Sequence, residues 1–230
     1  MSAFSRRLPV YLLLDCSASM SGEPLEAVQQ GLKTFVNELK GDPQALETVC
    51  LSVITFGSVA QQVNSLTELT LFKEPKLKAD GLTALGGALK VLRGCIAREY
   101  RKATDTQKGD WLPLVFILTD DPPTYLEEFD RQVKDIKTLK AANIIAMGVE
   151  PYVDQASLKR ITDNVLLMNS ASAGDMAKFF AWVSDSIRIT TLRFGELPPL
   201  STLPRPKKLD LKPGANIQLA PPPQGFTIVP

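Results

Sequence analysis

Asp15, Ser17 and Ser19 stand at alternate positions directly after the apolar run Pro9–Leu14. Alternate residues of an extended turn point the same way, so one carboxylate and two hydroxyls can face a single point. Two further oxygen groups hold comparable places. Thr83 closes Asp80-Gly81-Leu82-Thr83, just ahead of an amphipathic stretch. Asp120 follows the most hydrophobic run in the chain, within Thr119-Asp120-Asp121-Pro122-Pro123-Thr124. All of these donors are oxygen. Hard oxygen ligands select Mg²⁺, Ca²⁺ or Mn²⁺, and short hydroxyls with acids held through water suit Mg²⁺, which keeps several waters. Ser17 and Ser19 would also serve as helix caps or turn formers. Asp80 reads as an acid favouring a helix N-terminus. Asp121, before two prolines, reads either as a turn residue or as extra charge beside the cluster.

The rest of the composition removes chemistry. None of the 230 residues is histidine. That excludes a Ser-His-Asp or Cys-His nucleophile, an imidazole-rich zinc site and a histidine pH switch. With 26 Lys and Arg against 25 Asp and Glu, the net charge of +1 gives no overall field to attract nucleic acid or an anionic membrane. No G-x-x-x-x-G-K-[ST] loop is present, and no G-x-G-x-x-G follows the first apolar run. The three cysteines, Cys16, Cys50 and Cys95, are far apart and read as buried reduced thiols of a cytoplasmic protein. No signal peptide is expected from the polar start and the short Val10–Leu14 run, and no run approaches the ~20 apolar residues of a membrane span.

The elements that must position the oxygen groups alternate between apolar runs and amphipathic stretches of helical length. Strands are expected at 9–14, 49–56, 111–119, 143–149 and 165–168. Helices are expected at 25–39, 83–96, 125–141, 154–161 and 173–189. Residues 60–64 and 66–71 read as a short strand and an extended segment, in a hairpin at a sheet edge. Strands separated by helices imply right-handed crossovers and a mostly parallel sheet, hence a doubly wound α/β domain that binds ligands at the carboxyl ends of its strands. That domain is expected over residues 8–190. Nine of the 17 prolines lie from Pro198 onward, so residues 191–230 read as an extended tail or linker without a core of its own.

With the pattern Asp15-x-Ser17-x-Ser19, Thr83 and Thr119-Asp120 in place, the chain resembles the von Willebrand factor A (VWA) domains, over about residues 8–190. The five residues Asp15, Ser17, Ser19, Thr83 and Asp120 match that family's metal-ion-dependent adhesion site. The run Leu14–Pro24 and the helix start Thr83-Ala84-Leu85-Gly86 resemble the stand-alone bacterial subgroup of the tellurite-resistance (TerY-like) type. The resemblance implies a Rossmann-like fold and direct coordination by Ser17 and Ser19. It implies direct or water-mediated coordination by Thr83, and Asp15 and Asp120 holding waters or binding directly. It also implies a non-enzymatic, Mg²⁺-dependent interaction module whose open metal position accepts a carboxylate from a protein partner, with kinase and phosphatase partners in a bacterial stress response. Two positions depart from the pattern. Asp121 stands where many members carry Gly, which adds negative charge, and Ala18 replaces a common Gly. The competing reading is a Mg²⁺-dependent phosphoryl-transfer or phosphatase enzyme with Asp15 as nucleophile. Such an enzyme would need a second acid two residues on, where this chain has Ser17.

Overall fold

The computed structural model describes residues 6–104, 109–139, 142–195 and 219–229. One seven-stranded sheet runs in the order β3-β2-β1-β4-β5-β6-β7. Its strands are β1 (Leu8–Asp15), β2 (Val49–Phe56), β3 (Ala60–Glu68), β4 (Leu114–Thr119), β5 (Asn143–Val149), β6 (Val165–Met168) and β7 (Thr227–Ile228). All pairings from β2 through β6 are parallel, while β3 and β7 pair antiparallel at the two edges. Strands β1, β2 and β4 are buried along their whole length, which is why they read as unbroken apolar runs rather than alternating ones.

Helices cover both faces. On one lie α1 (Glu23–Lys40), α2 (Pro43–Thr48) and α6 (Ala173–Gly195), packed on Leu8, Val10, Leu12 and Leu14 of β1. On the other lie α3 (Leu85–Glu99), α4 (Leu126–Leu139) and α5 (Gln155–Ile161), which share one buried cluster with Tyr11 and Leu13. The alternation along β1 thus feeds two separate cores. Two close approaches depend on glycine. A Cβ at Gly31 of α1 would meet the Phe180 ring of α6 at 2.3 Å, and one at Gly86 of α3 would meet the Phe129 backbone of α4 at 2.7 Å.

Several boundaries differ from expectation for local reasons. The strand expected from Trp111 begins at Leu114, because Pro113 has no N–H for the ladder and Trp111 instead sits beneath the Arg6 guanidinium, 3.7 Å from its ring centroid. Asp42 does not only end α1. Its carboxylate accepts from Ala45 N–H and caps α2, with Pro43 in the first turn. The expected hairpin over 60–71 is one continuous strand, β3, whose ladder with β2 slips around Val53.

The last part of the expected tail lies against the domain. Residues 219–229 return to the domain. Ala220 is buried, its carbonyl accepting from the Trp182 indole at 2.9 Å and its N–H donating to Ser186 Oγ at 3.1 Å. Thr227 and Ile228 then pair with Leu167 and Leu166, and Lys159 Nζ donates to the Val229 carbonyl. The physical reason is a set of buried polar groups on α6, together with the free side of β6, that only a returning backbone satisfies. The rest of the proline-rich stretch lies outside the described residues. Among the described residues no helix is long and apolar enough to cross a membrane.

Candidate metal centre

The strand order reverses between β1 and β4: the chain runs outward from β1 to β3, then returns to the other side of β1. Ligand sites of doubly wound sheets form at that crevice, beyond the carboxyl ends. Asp15 ends β1 and Thr119 ends β4, one step past the in-register pair Leu14 and Leu118. The two side chains meet there, the Thr119 hydroxyl donating to Asp15 Oδ2. Asp15 Oδ1 accepts from the Ser17 N–H at 2.8 Å. Asp15 is therefore fully buried with both oxygens engaged.

From this anchor a line of oxygens runs outward. Ser17 Oγ lies 2.9 Å from Ser19 Oγ, and Ser19 donates to Asp120 Oδ1 at 3.0 Å. Ser17 is buried, whereas Ser19 is exposed. A 3-10 turn over Ala18–Met20 presents the two hydroxyls. Thr83 is buried just before α3 and joins the cluster through main chain: its carbonyl accepts from Thr124 N–H at 2.9 Å, and Ala18 N–H donates to Gly81 O at 2.9 Å. The structure thus brings four of the five sequence-predicted residues into direct hydrogen-bonded contact and places Thr83 on the adjoining loop.

Burial pushes the Asp15 carboxyl up to about 6, although the hydrogen bonds from Ser17 and Thr119 pull the other way. Asp120 is raised as well, by burial first; the Ser19 hydroxyl opposes this and the neighbouring Asp121 adds to it. Among the described residues no Lys or Arg pairs with Asp15, Asp120 or Asp121. No group of three or more acid, thiol or imidazole side chains is gathered among them either. An acid and two hydroxyls in line, without a balancing cation, form a donor set that fits a small hard divalent ion.

Sequence reading missed the parts that hold these loops together. Gly57 and Ser58, after β2, are the clamp. Cys16 N–H donates to Phe56 O, Asp80 N–H to Cys16 O, Ala84 N–H to Gly57 O and Leu82 N–H to Ser58 Oγ. A Cβ at Gly57 would lie 2.1 Å from Asp80 O, so only glycine lets the loops touch. Gly81 has φ of +64° and a Cβ there would strike Ser58 Oγ. The signal available was a Gly-Ser turn directly after a buried strand. Asp80 does not act at a helix N-terminus: α3 begins five residues later, and Asp80 instead ties two loops through its backbone. Cys16 faces the core beneath the loop, as expected, and burial pushes its thiol up to about 12.

Fold and site together define a doubly wound α/β domain carrying an all-oxygen, hydroxyl-based cluster at its topological switch point. The family model for the von Willebrand factor type A domain matches residues 10–190, and the chain belongs to that family. Solved structures agree in fold. A von Willebrand factor type A protein from Catenulispora acidiphila superposes with a TM-score of 0.62 at 18% identity, over 79% of this chain and 42% of that one. Proximal thread matrix protein 1 from the mussel byssus, with a zinc occupied MIDAS motif, gives 0.54 at 16% identity, over 78% and 45%. Manganese-loaded TRAP protein from Plasmodium vivax gives 0.51 at 17% identity, over 76% and 73%. The chain spans less than half the length of the first two. Comparison with curated proteins gave no significant match.

Proposed function

We propose that this chain is a metal-dependent protein-interaction module. Ser17, Ser19 and Thr83 would hold a divalent cation through their hydroxyls, with Asp15 and Asp120 placing its waters or binding directly. Mg²⁺ is the proposed resident, and a relative with a zinc occupied MIDAS motif and another that is manganese-loaded support a divalent ion. The bound ion would supply a Lewis-acidic point open to a carboxylate of a partner protein. The observation that carries this reading is the line Ser17 Oγ, Ser19 Oγ, Asp120 Oδ1 above a buried Asp15, with no cationic side chain to balance it.

Phosphoryl transfer through Asp15 is the weaker reading. A nucleophile must be reached in line by a bulky phosphoryl group, and Asp15 is fully buried beneath the hydroxyls of Ser17 and Ser19. We therefore read the chain as a binder and not an enzyme. The runs Leu14–Pro24 and Thr83–Gly86 support the finer proposal of a TerY-like, cytoplasmic bacterial adaptor that assembles with kinase and phosphatase partners in a stress response. The three buried, unpaired cysteines are compatible with that compartment.

Mn²⁺ titration followed by electron paramagnetic resonance tests the core of the proposal. One site is expected in the wild-type chain, weakened at least tenfold by Ser17→Ala. Absence of binding at millimolar Mn²⁺, or an unchanged site in Ser17→Ala, would sink it.

A further inference from the structure

Thr83 is the one proposed metal ligand that the line of side-chain hydrogen bonds does not reach, so main-chain bonds must place it. The residues on either side of it are pinned to the turn that follows β2. Behind it, Ala84 N–H donates to Gly57 O at 2.9 Å. Ahead of it, Leu82 N–H donates to Ser58 Oγ at 3.1 Å. The Thr83 carbonyl is held as well, by the N–H groups of Thr124 and Leu85. A ligand on a loop is only as well aimed as the bonds on both sides of it.

Ser58 grips the loop with two different atoms. Its N–H donates to Asp80 O at 3.3 Å, and its side-chain oxygen accepts from Leu82, so one residue holds both flanks of Gly81. In a strand ladder the second bond would use the residue's own carbonyl; here a hydroxyl takes that part. Gly81 makes this possible. Its φ is +64°, and a Cβ there would lie 1.7 Å from Ser58 Oγ, so a larger residue would push hydroxyl and loop apart. Among the described residues the Ser58 hydroxyl bonds to nothing else.

The bonds that secure residues 80–84 differ in what their loss would do. Those from Ala84 to Gly57, from Asp80 to Cys16 and from Ala18 to Gly81 join backbone to backbone and belong to the scaffold. Ser58 Oγ is the only side-chain partner of this loop among the described residues. It stands on a half-buried turn, and Leu82 is 49% exposed, so water can take over the amide that the hydroxyl releases. Neither core includes Ser58. Its loss therefore frees the segment ahead of Thr83 while the segment behind stays fixed.

We infer that Ser58 is a positioning residue of the metal site: by holding Leu82 N–H it aims the Thr83 hydroxyl at the ion, without itself touching the ion. The inference rests on the metal-dependent reading above. It adds to the site a residue of the β2–β3 turn that lies outside the Asp15, Ser17, Ser19, Thr83 and Asp120 set.

The test is a double-mutant cycle on the full chain, read by Mn²⁺ titration with electron paramagnetic resonance. Ser58→Ala is expected to weaken Mn²⁺ binding about three- to tenfold, less than the roughly 10–100-fold typical of losing a group bonded directly to a ligand. On a Thr83→Ala background the same substitution should change affinity less than about twofold, because the group it aims is gone. Its melting temperature in chelator should stay within about 2 °C of wild type. Hydrogen exchange by mass spectrometry gives a second reading. Metal-free Ser58→Ala should exchange faster than wild type over residues 81–84, and Mn²⁺ should slow that segment in wild type.

Ser58→Ala that binds Mn²⁺ within twofold of wild type overturns the inference and leaves the metal reading intact. So does an equal loss on the Thr83→Ala background, which marks a general effect on the scaffold. If Thr83→Ala leaves too little binding to titrate, exchange decides: unchanged exchange over residues 81–84 in Ser58→Ala overturns the inference, and faster exchange confined to them upholds it. A wild-type chain that binds no Mn²⁺ marks failure of the metal reading itself.

Discussion

Asp15→Asn is expected to make the metal-free protein more stable at neutral pH. In the folded chain the Asp15 carboxyl rises from its ordinary 3.8 to about 6, mainly through burial. Below about pH 4 it is neutral in both folded and unfolded chains and costs nothing. Between about pH 4 and 6 the folded chain keeps a proton that the unfolded chain has lost, so stability falls as pH rises. Above about 6 the penalty is complete, and the difference between the two values corresponds to about 3 kcal/mol. Asparagine keeps the shape. Its oxygen still accepts from the Ser17 N–H, and its amide can donate to Thr119 Oγ1, which then accepts instead of donating. Burial of an amide costs something of its own, about 1 kcal/mol where hydrogen bonds compensate. The net gain is therefore about 1–2 kcal/mol at pH 7.5, or about 2–8 °C in melting temperature for a domain of this size. Thermal melts in chelator at pH 4 and 7.5 measure it directly. Adding Mn²⁺ at a hundredfold its Kd should then restore about 2.7 kcal/mol to the wild type and nothing to the variant. An Asp15→Asn protein less stable than wild type at pH 7.5 in chelator, or one with the same gain at pH 4, would refute the reasoning.

Other perturbations separate the scaffold from the site. Gly57→Ala forces a methyl against Asp80 O and should lower stability by about 1–3 kcal/mol in urea melts, together with Mn²⁺ affinity; an unchanged Mn²⁺ site would dismiss the clamp. Burial holds the Cys16 thiol at about 12 and the Cys50 thiol at about 11. A disulfide reagent at pH 8 should accordingly label the native chain slowly and all three cysteines once it is denatured, and one fast-reacting native thiol would contradict this. Trp182→Phe removes the donor to the Ala220 carbonyl and should cost about 1–3 kcal/mol, with faster amide exchange confined to residues 219–229 and their partners. Unchanged exchange there would show that the indole is not the anchor.

What the sequence disclosed depended on range. Asp15, Ser17 and Ser19 were readable because their spacing is local and the apolar run before them is unmistakable. Asp120 was readable because the WLPLVFILT run marks a central strand and Asp120 follows it. Thr83 was placed correctly at the helix entrance, although α3 itself starts two residues later, after the clamp has been made. The clamp was not legible. Gly57 and Gly81 matter because of Asp80 and Ser58, contacts made across loops with no signature in composition. Proline density suggested a tail throughout. It did not disclose Ala220, whose partners Trp182 and Ser186 lie more than thirty residues earlier on α6.

That returning segment has a consequence for how the domain behaves among copies of itself. Without it, β6 would present a bare row of amide and carbonyl groups at the margin of a twisted parallel sheet, a template for strand-to-strand aggregation. Two residues of β7, both exposed, occupy that margin, and Val229 adds one more backbone bond to Val165. They are synthesised after everything they protect. During synthesis, and whenever these residues peel away, the finished core carries a sticky flank. A chain shortened after residue 218 should therefore keep its fold and yet precipitate at concentrations the longer chain tolerates.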